Sequence, residues 1–81
     1  QIVATPNALA NLSSAEITVA LGRHQSGDWG DLGDEDRQSN NQALVDGIRL
    51  LSAYHSGTQV KFWIITESDR SSTTVLLPED Y

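Results

Sequence analysis

The sequence contains no cysteine. This absence excludes a disulfide framework and any thiolate ligand set for zinc or an iron–sulfur cluster, so packing or a partner subunit must stabilise the fold. No apolar run approaches the roughly 18 residues that a membrane span needs, and the first residues lack the basic-then-apolar order of a secretory signal. We therefore expect a soluble, cytoplasmic protein with no membrane partner.

Basic residues are scarce, since five Lys and Arg stand against eleven Asp and Glu, for a formal net charge of −6. Nucleic-acid-binding proteins usually carry a cationic surface, so this balance disfavours a nucleic-acid partner. The basic residues are scattered singly, whereas five acidic residues crowd into one segment: Asp28, Asp31, Asp34, Glu35 and Asp36. We interpret this segment either as a solvated loop and helix start or as a surface for a basic protein partner.

The N-terminal half carries helix signals. Ser13 and Glu16 have the spacing of a capping box and predict a helix over residues 14–25. Thr5 and Pro6 predict a short helical turn before it. The acidic residues 34–36 predict a further helix that runs to about residue 46 and is ended by Gly47. No repeat or linker divides the chain, so we expect one domain over residues 1–81.

From residue 48 onward the pattern changes to strands. Three β-rich segments, residues 48–54, 60–66 and 73–77, are joined by connections short enough for hairpins. The sequence therefore predicts an α+β fold with two or three N-terminal helices packed on one face of a C-terminal three-stranded antiparallel β-meander. The outer face of that sheet would present Trp63, Ile65 and Leu76, which a second copy of the chain could cover in a homodimer.

Two blocks carry a resemblance: HxxGDWGD at residues 24–31 and WIITExDRSxTTxLLPEDY at residues 63–81. Together they resemble a family of small uncharacterised bacterial proteins that are carried on plasmids, phages and other mobile elements and often labelled plasmid-related proteins. The resemblance covers about residues 20–81 and implies a mobile-gene origin, with no established activity. The chain departs from the usual family pattern at Ser68, where alanine is common, and at Gly33, where an acidic residue is common.

The first block supplies most of the candidate binding residues. A histidine held by a carboxylate can act as a general acid/base, so His24 and Asp28 form one candidate pair. The alternative is that His24 caps a helix end or bonds a backbone carbonyl. Trp29 is either a packing anchor or a stacking platform. The full set of candidate binding residues is His24, Asp28, Trp29, Asp31, Asn40 and Arg70.

The polar segment at residues 66–74 lies at the tip of the second predicted hairpin. Its Ser, Thr and Asp side chains are typical of a turn that bonds its own backbone, with Arg70 paired to Glu67 or Asp69. The alternative is that Arg70 grips a phosphate or a carboxylate. The acidic residues lack the ligand spacing of an EF-hand loop and no thiolates are available, so we predict no metal site and no cofactor.

Two functions from different classes remain open. The first is a non-enzymatic acidic protein-interaction module, encoded on a mobile element, whose partner is a protein such as a host defence component. The second is a small barnase-like nuclease or other hydrolase. In that case His24 or His55 is the acid/base, Glu67 its carboxylate partner and Arg70 the stabiliser of the phosphate charge. Convergence of His24, Trp29, Asn40 and residues 66–70 on one cleft would favour a site.

Overall fold

The computed structural model describes every residue from Gln1 to Tyr81. Its helices and strands follow one another in the order β1 (Ile2–Ala4), α1 (Pro6–Asn11), α2 (Ser14–Gln25), α3 (Asp34–Asp46), β2 (Leu50–His55), β3 (Lys61–Thr66) and β4 (Thr73–Leu76), with a final 3-10 turn at Pro78–Asp80. None of the helices combines the length and the apolar character needed to cross a membrane.

The helices begin and end at the residues that carry local signals. The Ser13 hydroxyl accepts from the Glu16 amide at 3.1 Å and the Glu16 carboxylate accepts from the Ser13 amide at 3.0 Å, which completes the capping box of α2. The Thr5 hydroxyl accepts from the Ala8 amide at 3.1 Å and caps α1. Gly47 follows α3. These observations confirm the predicted helix over residues 14–25 and the helix that ends at residue 46.

The sheet has four strands in the order β1-β4-β3-β2. Strands β2, β3 and β4 form the antiparallel meander, while β1 pairs in parallel with β4 through Ile2 and Thr73. The α+β class is confirmed, but a purely antiparallel sheet of three strands is not what forms. The extra strand has three residues, too few for alternation to be recognised, and its pairing partner lies at the other end of the chain.

The three helices contact the same face of the sheet. One core cluster joins α1 and α2 to the strands through Ala8, Leu12, Ala20, Tyr54, Phe62, Ile64, Val75 and Leu77. A smaller cluster joins the loop after α2 to α3 and β2 through Trp29, Ala43 and Leu50. Both clusters contain side chains from β2, Tyr54 in the larger and Leu50 in the smaller, so this strand joins them.

The outer face of the sheet is partly covered by the chain itself. Ile65 and Leu76 are buried and Trp63 is half-buried. The Tyr81 ring packs edge-on against Trp63 at 5.8 Å, and Arg49 donates a 2.7 Å hydrogen bond to the Tyr81 hydroxyl. Of the three residues predicted to face a second copy, only Trp63 therefore keeps a substantial exposed surface.

Candidate functional site

His24 lies near the end of α2 and is only 4% exposed. Its Nδ1 lies 2.5 Å from Ser52 Oγ of β2, and its Nε2 lies 2.8 Å from Thr66 Oγ1 of β3. Thr66 Oγ1 in turn lies 2.9 Å from Thr73 Oγ1 of β4. These four side chains form one chain of hydrogen bonds across three strands, which we call the His24 network.

Burial lowers the pKa of the His24 imidazole below its ordinary value of 6.5. No carboxylate bonds either ring nitrogen, so nothing offsets the desolvation of a positive charge. The predicted pairing of His24 with Asp28 does not form, because α2 ends at Gln25 and residue 28 leaves the helical face. Asp28 instead accepts hydrogen bonds from Arg23, at 2.7 Å from Nε and 3.2 Å from Nη2.

Trp29 packs against His24, with the ring centroids 5.7 Å apart and the planes nearly perpendicular. Its indole N–H donates to Asn41 Oδ1 at 3.0 Å, and only 2% of the residue is exposed. Of the two interpretations of Trp29, the structure therefore favours the packing anchor. A side chain this deeply buried cannot also be the exposed aromatic anchor of a protein interface.

A cavity of about 350 Å³ opens beside the His24 network. Trp29, Leu44 and Leu50 form its apolar walls, and the hydroxyls of Thr66 and Thr73 form a polar side. The remaining lining belongs to residues 24–27, at the end of α2 and in the turn after it. With His24 neutral, no lining residue carries a formal charge, so the cavity suits an uncharged ligand.

Asn40 closes the edge of the sheet. Its side-chain N–H donates to the Leu51 carbonyl at 2.5 Å and its Oδ1 accepts from the Leu51 amide at 3.2 Å. These are the two bonds that a neighbouring strand would make to this residue of β2. Two residues further on, the Ala53 amide donates to the Trp29 carbonyl at 3.2 Å and its carbonyl accepts from the Asp31 amide at 2.7 Å. Both polar atoms of the Asn40 side chain are therefore engaged by the sheet edge.

Replacement of Asn40 by alanine should reduce the free energy of unfolding by about 2 kcal/mol, because it leaves the part-buried amide and carbonyl of Leu51 unpaired. Urea denaturation monitored by circular dichroism measures this change. The control is S39A, at an exposed neighbouring position of α3, which should change stability by less than about 0.5 kcal/mol. Equal effects of the two substitutions would show that the Asn40 amide does not stabilise the sheet edge.

Arg70 ties the turn between β3 and β4 to the end of α3. Its Nη1 donates to the Ile48 carbonyl at 2.7 Å and to the Glu67 carbonyl at 3.2 Å, while Nη2 donates to the Ala43 carbonyl at 3.4 Å. The predicted pairing with the Glu67 or Asp69 carboxylate is wrong, because backbone carbonyls occupy the guanidinium. No hydrogen bond joins the side chains of Arg70, His24 and Glu67.

The second histidine forms a pair that the sequence did not indicate. His55 Nδ1 lies 2.5 Å from Asp31 Oδ2, and both side chains are substantially exposed. The two residues meet because Gly30 forms a parallel bridge with Ala53, which brings the loop after α2 alongside β2. His55 also lines a cavity of about 310 Å³ that contains Arg23. Only knowledge of that bridge could have linked residue 31 to residue 55.

The six candidate binding residues do not converge on one cleft. His24 and Trp29 line the cavity beside the His24 network, together with Thr66 from the second block. Asn40 and Arg70 bond backbone groups elsewhere, while Asp28 bonds Arg23 and Asp31 bonds His55 at the surface. The first block therefore contributes to a cavity on one side and to a charged surface on the other.

Among its His, Asp and Glu side chains, the protein has no group of three or more placed to hold a metal ion. No protein-family model, curated protein or solved structure matches this chain. The function must therefore be inferred from the geometry and charge of the sites themselves.

Proposed function

We propose that this protein is a non-enzymatic interaction module whose acidic surface binds a basic partner protein. The observation that supports this proposal is that the arginine side chains are bound to other groups of the chain, whereas most carboxylates are not in ion pairs. All four arginines donate hydrogen bonds to groups of the chain itself: Arg23, Arg37, Arg49 and Arg70. Lys61 is the one basic residue without such a bond. Of the eleven acidic residues, only Asp28 pairs with an arginine and only Asp31 with a histidine.

The binding surface in this proposal is the first turn of α3. Asp34, Glu35 and Asp36 are exposed there and make no side-chain hydrogen bonds. Because none of these carboxylates is in an ion pair, their negative charge attracts a cationic surface and accelerates encounter with it. Since Trp29 is buried, charge supplies most of this attraction, and the affinity should fall as salt concentration rises.

The triple substitution D34N/E35Q/D36N tests this surface, with an oligolysine peptide as the probe and calorimetric titration at low salt as the measurement. We expect the affinity to fall about tenfold, since three unpaired charges are removed from one site. The matched control, D46N/E67Q/E79Q, removes the same number of exposed charges elsewhere and should change the affinity less than about twofold. Equal losses in both variants would overturn the proposed surface.

The partner in this proposal is a cytoplasmic host defence protein with a basic surface, which the resemblance to mobile-element proteins suggests. Purified proteins of that class are the appropriate second probes. They should bind the control variant D46N/E67Q/E79Q but not the variant D34N/E35Q/D36N.

The nuclease alternative predicts instead that RNA or single-stranded DNA is cleaved by the wild type and spared by H24A and R70A. Such cleavage would replace the interaction proposal.

A further inference from the structure

We assign a direction to the hydrogen bonds of the His24 network from its most deeply buried member, Ser52. Ser52 is completely buried, and its hydroxyl makes its hydrogen bond to His24 Nδ1. A buried hydroxyl proton needs an acceptor, so Ser52 donates to Nδ1. Neutral His24 then carries its proton on Nε2 and donates it to Thr66 Oγ1. The buried serine therefore selects the tautomer of the histidine.

The same direction continues to the cavity. Thr66, which accepts from His24, donates its own proton to Thr73 Oγ1. Thr73 is half-buried and lines the cavity, and its hydroxyl has no other side-chain or backbone partner in the chain. The network thus ends in a free O–H donor at the cavity.

We propose that this cavity binds a small uncharged molecule that combines an apolar ring with a hydrogen-bond acceptor, of the class of aromatic carboxamides and ketones. Leu44 and Leu50 would contact the ring, while the Thr73 hydroxyl donates to the carbonyl. A volume of about 350 Å³ lies within the range of small-molecule sites. A charged ligand is disfavoured because no lining residue carries an opposite charge to pair with it. This site is separate from the acidic surface of α3.

Benzamide is the probe that tests this site, with the NMR resonances of the Trp29 indole and of Thr73 as the reporters. Both resonances should shift on titration, and benzoate, which has the same ring but a negative charge, should bind at least about tenfold more weakly. Toluene, which lacks an acceptor, should bind at least about fivefold more weakly than benzamide. The nitrogen shifts of His24 should show the proton on Nε2.

Substitutions at Thr73 in β4 distinguish the contribution of its hydroxyl to binding from the contribution of its side-chain shape. T73V keeps the branched side chain and should weaken benzamide binding about fivefold, whereas T73S restores the hydroxyl and should recover most of the affinity. The matched control T74V lies at the next position, on the opposite face of the sheet, and should change binding less than twofold. The proposal is overturned if benzamide moves neither resonance, if benzoate binds equally well, or if T73V binds like the wild type.

Discussion

Replacement of Gly30 by alanine should destabilise the protein by at least about 4 kcal/mol, enough to unfold a domain of this size. A β-carbon at this position would lie 2.0 Å from the Ala53 carbonyl oxygen and 2.6 Å from Cδ1 of Tyr54. The backbone φ of Gly30 is also +75°, in the left-handed region that a residue with a side chain rarely adopts. Steric overlap and backbone strain therefore act together.

Neither group that the new methyl would strike can move aside. The Ala53 carbonyl belongs to β2 and accepts the Asp31 amide at 2.7 Å. The Tyr54 ring is almost completely buried, and its hydroxyl donates to the Asp28 carbonyl at 2.7 Å. A shift of either group would break the closure of the sheet edge or open the core. The loop after α2 would then have to leave β2, and the Asp31–His55 pair would be lost with it.

The matched control is G27A in the same loop. Gly27 has a φ of +84° but no atom within 4 Å of a built β-carbon, so this substitution carries the backbone strain alone, about 1–2 kcal/mol. Urea denaturation of both variants at neutral pH measures the difference. A loss in G30A no larger than in G27A would contradict the close approach of Gly30 to β2.

Acidification below pH 6.5 should reduce the free energy of unfolding, because His24 is kept neutral in the folded state. The ordinary pKa of 6.5 applies to the unfolded chain, and burial lowers the pKa in the folded protein. Above pH 6.5 both states are neutral and stability does not change with this group. Between the two pKa values the unfolded chain binds the proton and the folded one does not, so stability falls by up to about 1.4 kcal/mol per pH unit.

The carboxylates affect the stability of the protein over a separate, lower range of pH. A hydrogen bond from Arg23 lowers the pKa of Asp28, and those from Thr5 and Asn7 lower the pKa of Asp80. The stability that such groups contribute is present above their ordinary pKa of 3.8 and is lost as pH falls through the lower folded value. The loss of stability just below pH 6.5 therefore belongs to a histidine and not to these acids.

H24Q tests the assignment to His24. The variant should be less stable than the wild type at pH 7, because a smaller side chain cannot span both Ser52 and Thr66, but its stability should no longer fall just below pH 6.5. H55Q removes the other histidine and should keep the fall that His24 causes. Denaturant unfolding at a series of pH values gives both results. If the fall persists unchanged in H24Q, another group is responsible for it.

The sequence by itself determined the helices of this protein. The capping box of Ser13 and Glu16, the Thr5 cap before Pro6 and the stop at Gly47 each join groups no more than four residues apart. Such bonds depend on local spacing alone, so they can be recognised without knowledge of the fold. The antiparallel meander followed for a similar reason, since its connections are short and its strands are neighbours in the sequence.

Only the tertiary structure decided what the polar residues do. His24 bonds Ser52 and Thr66, which are 28 and 42 residues away, and Asp31 meets His55 across 24 residues. The strand β1 likewise pairs with residues near the far end of the chain. These partners depend on the register of the sheet and on the packing of the whole core, which no local spacing encodes. For that reason the residues of the HxxGDWGD block separate in the structure: some line a cavity and the others lie on a charged surface.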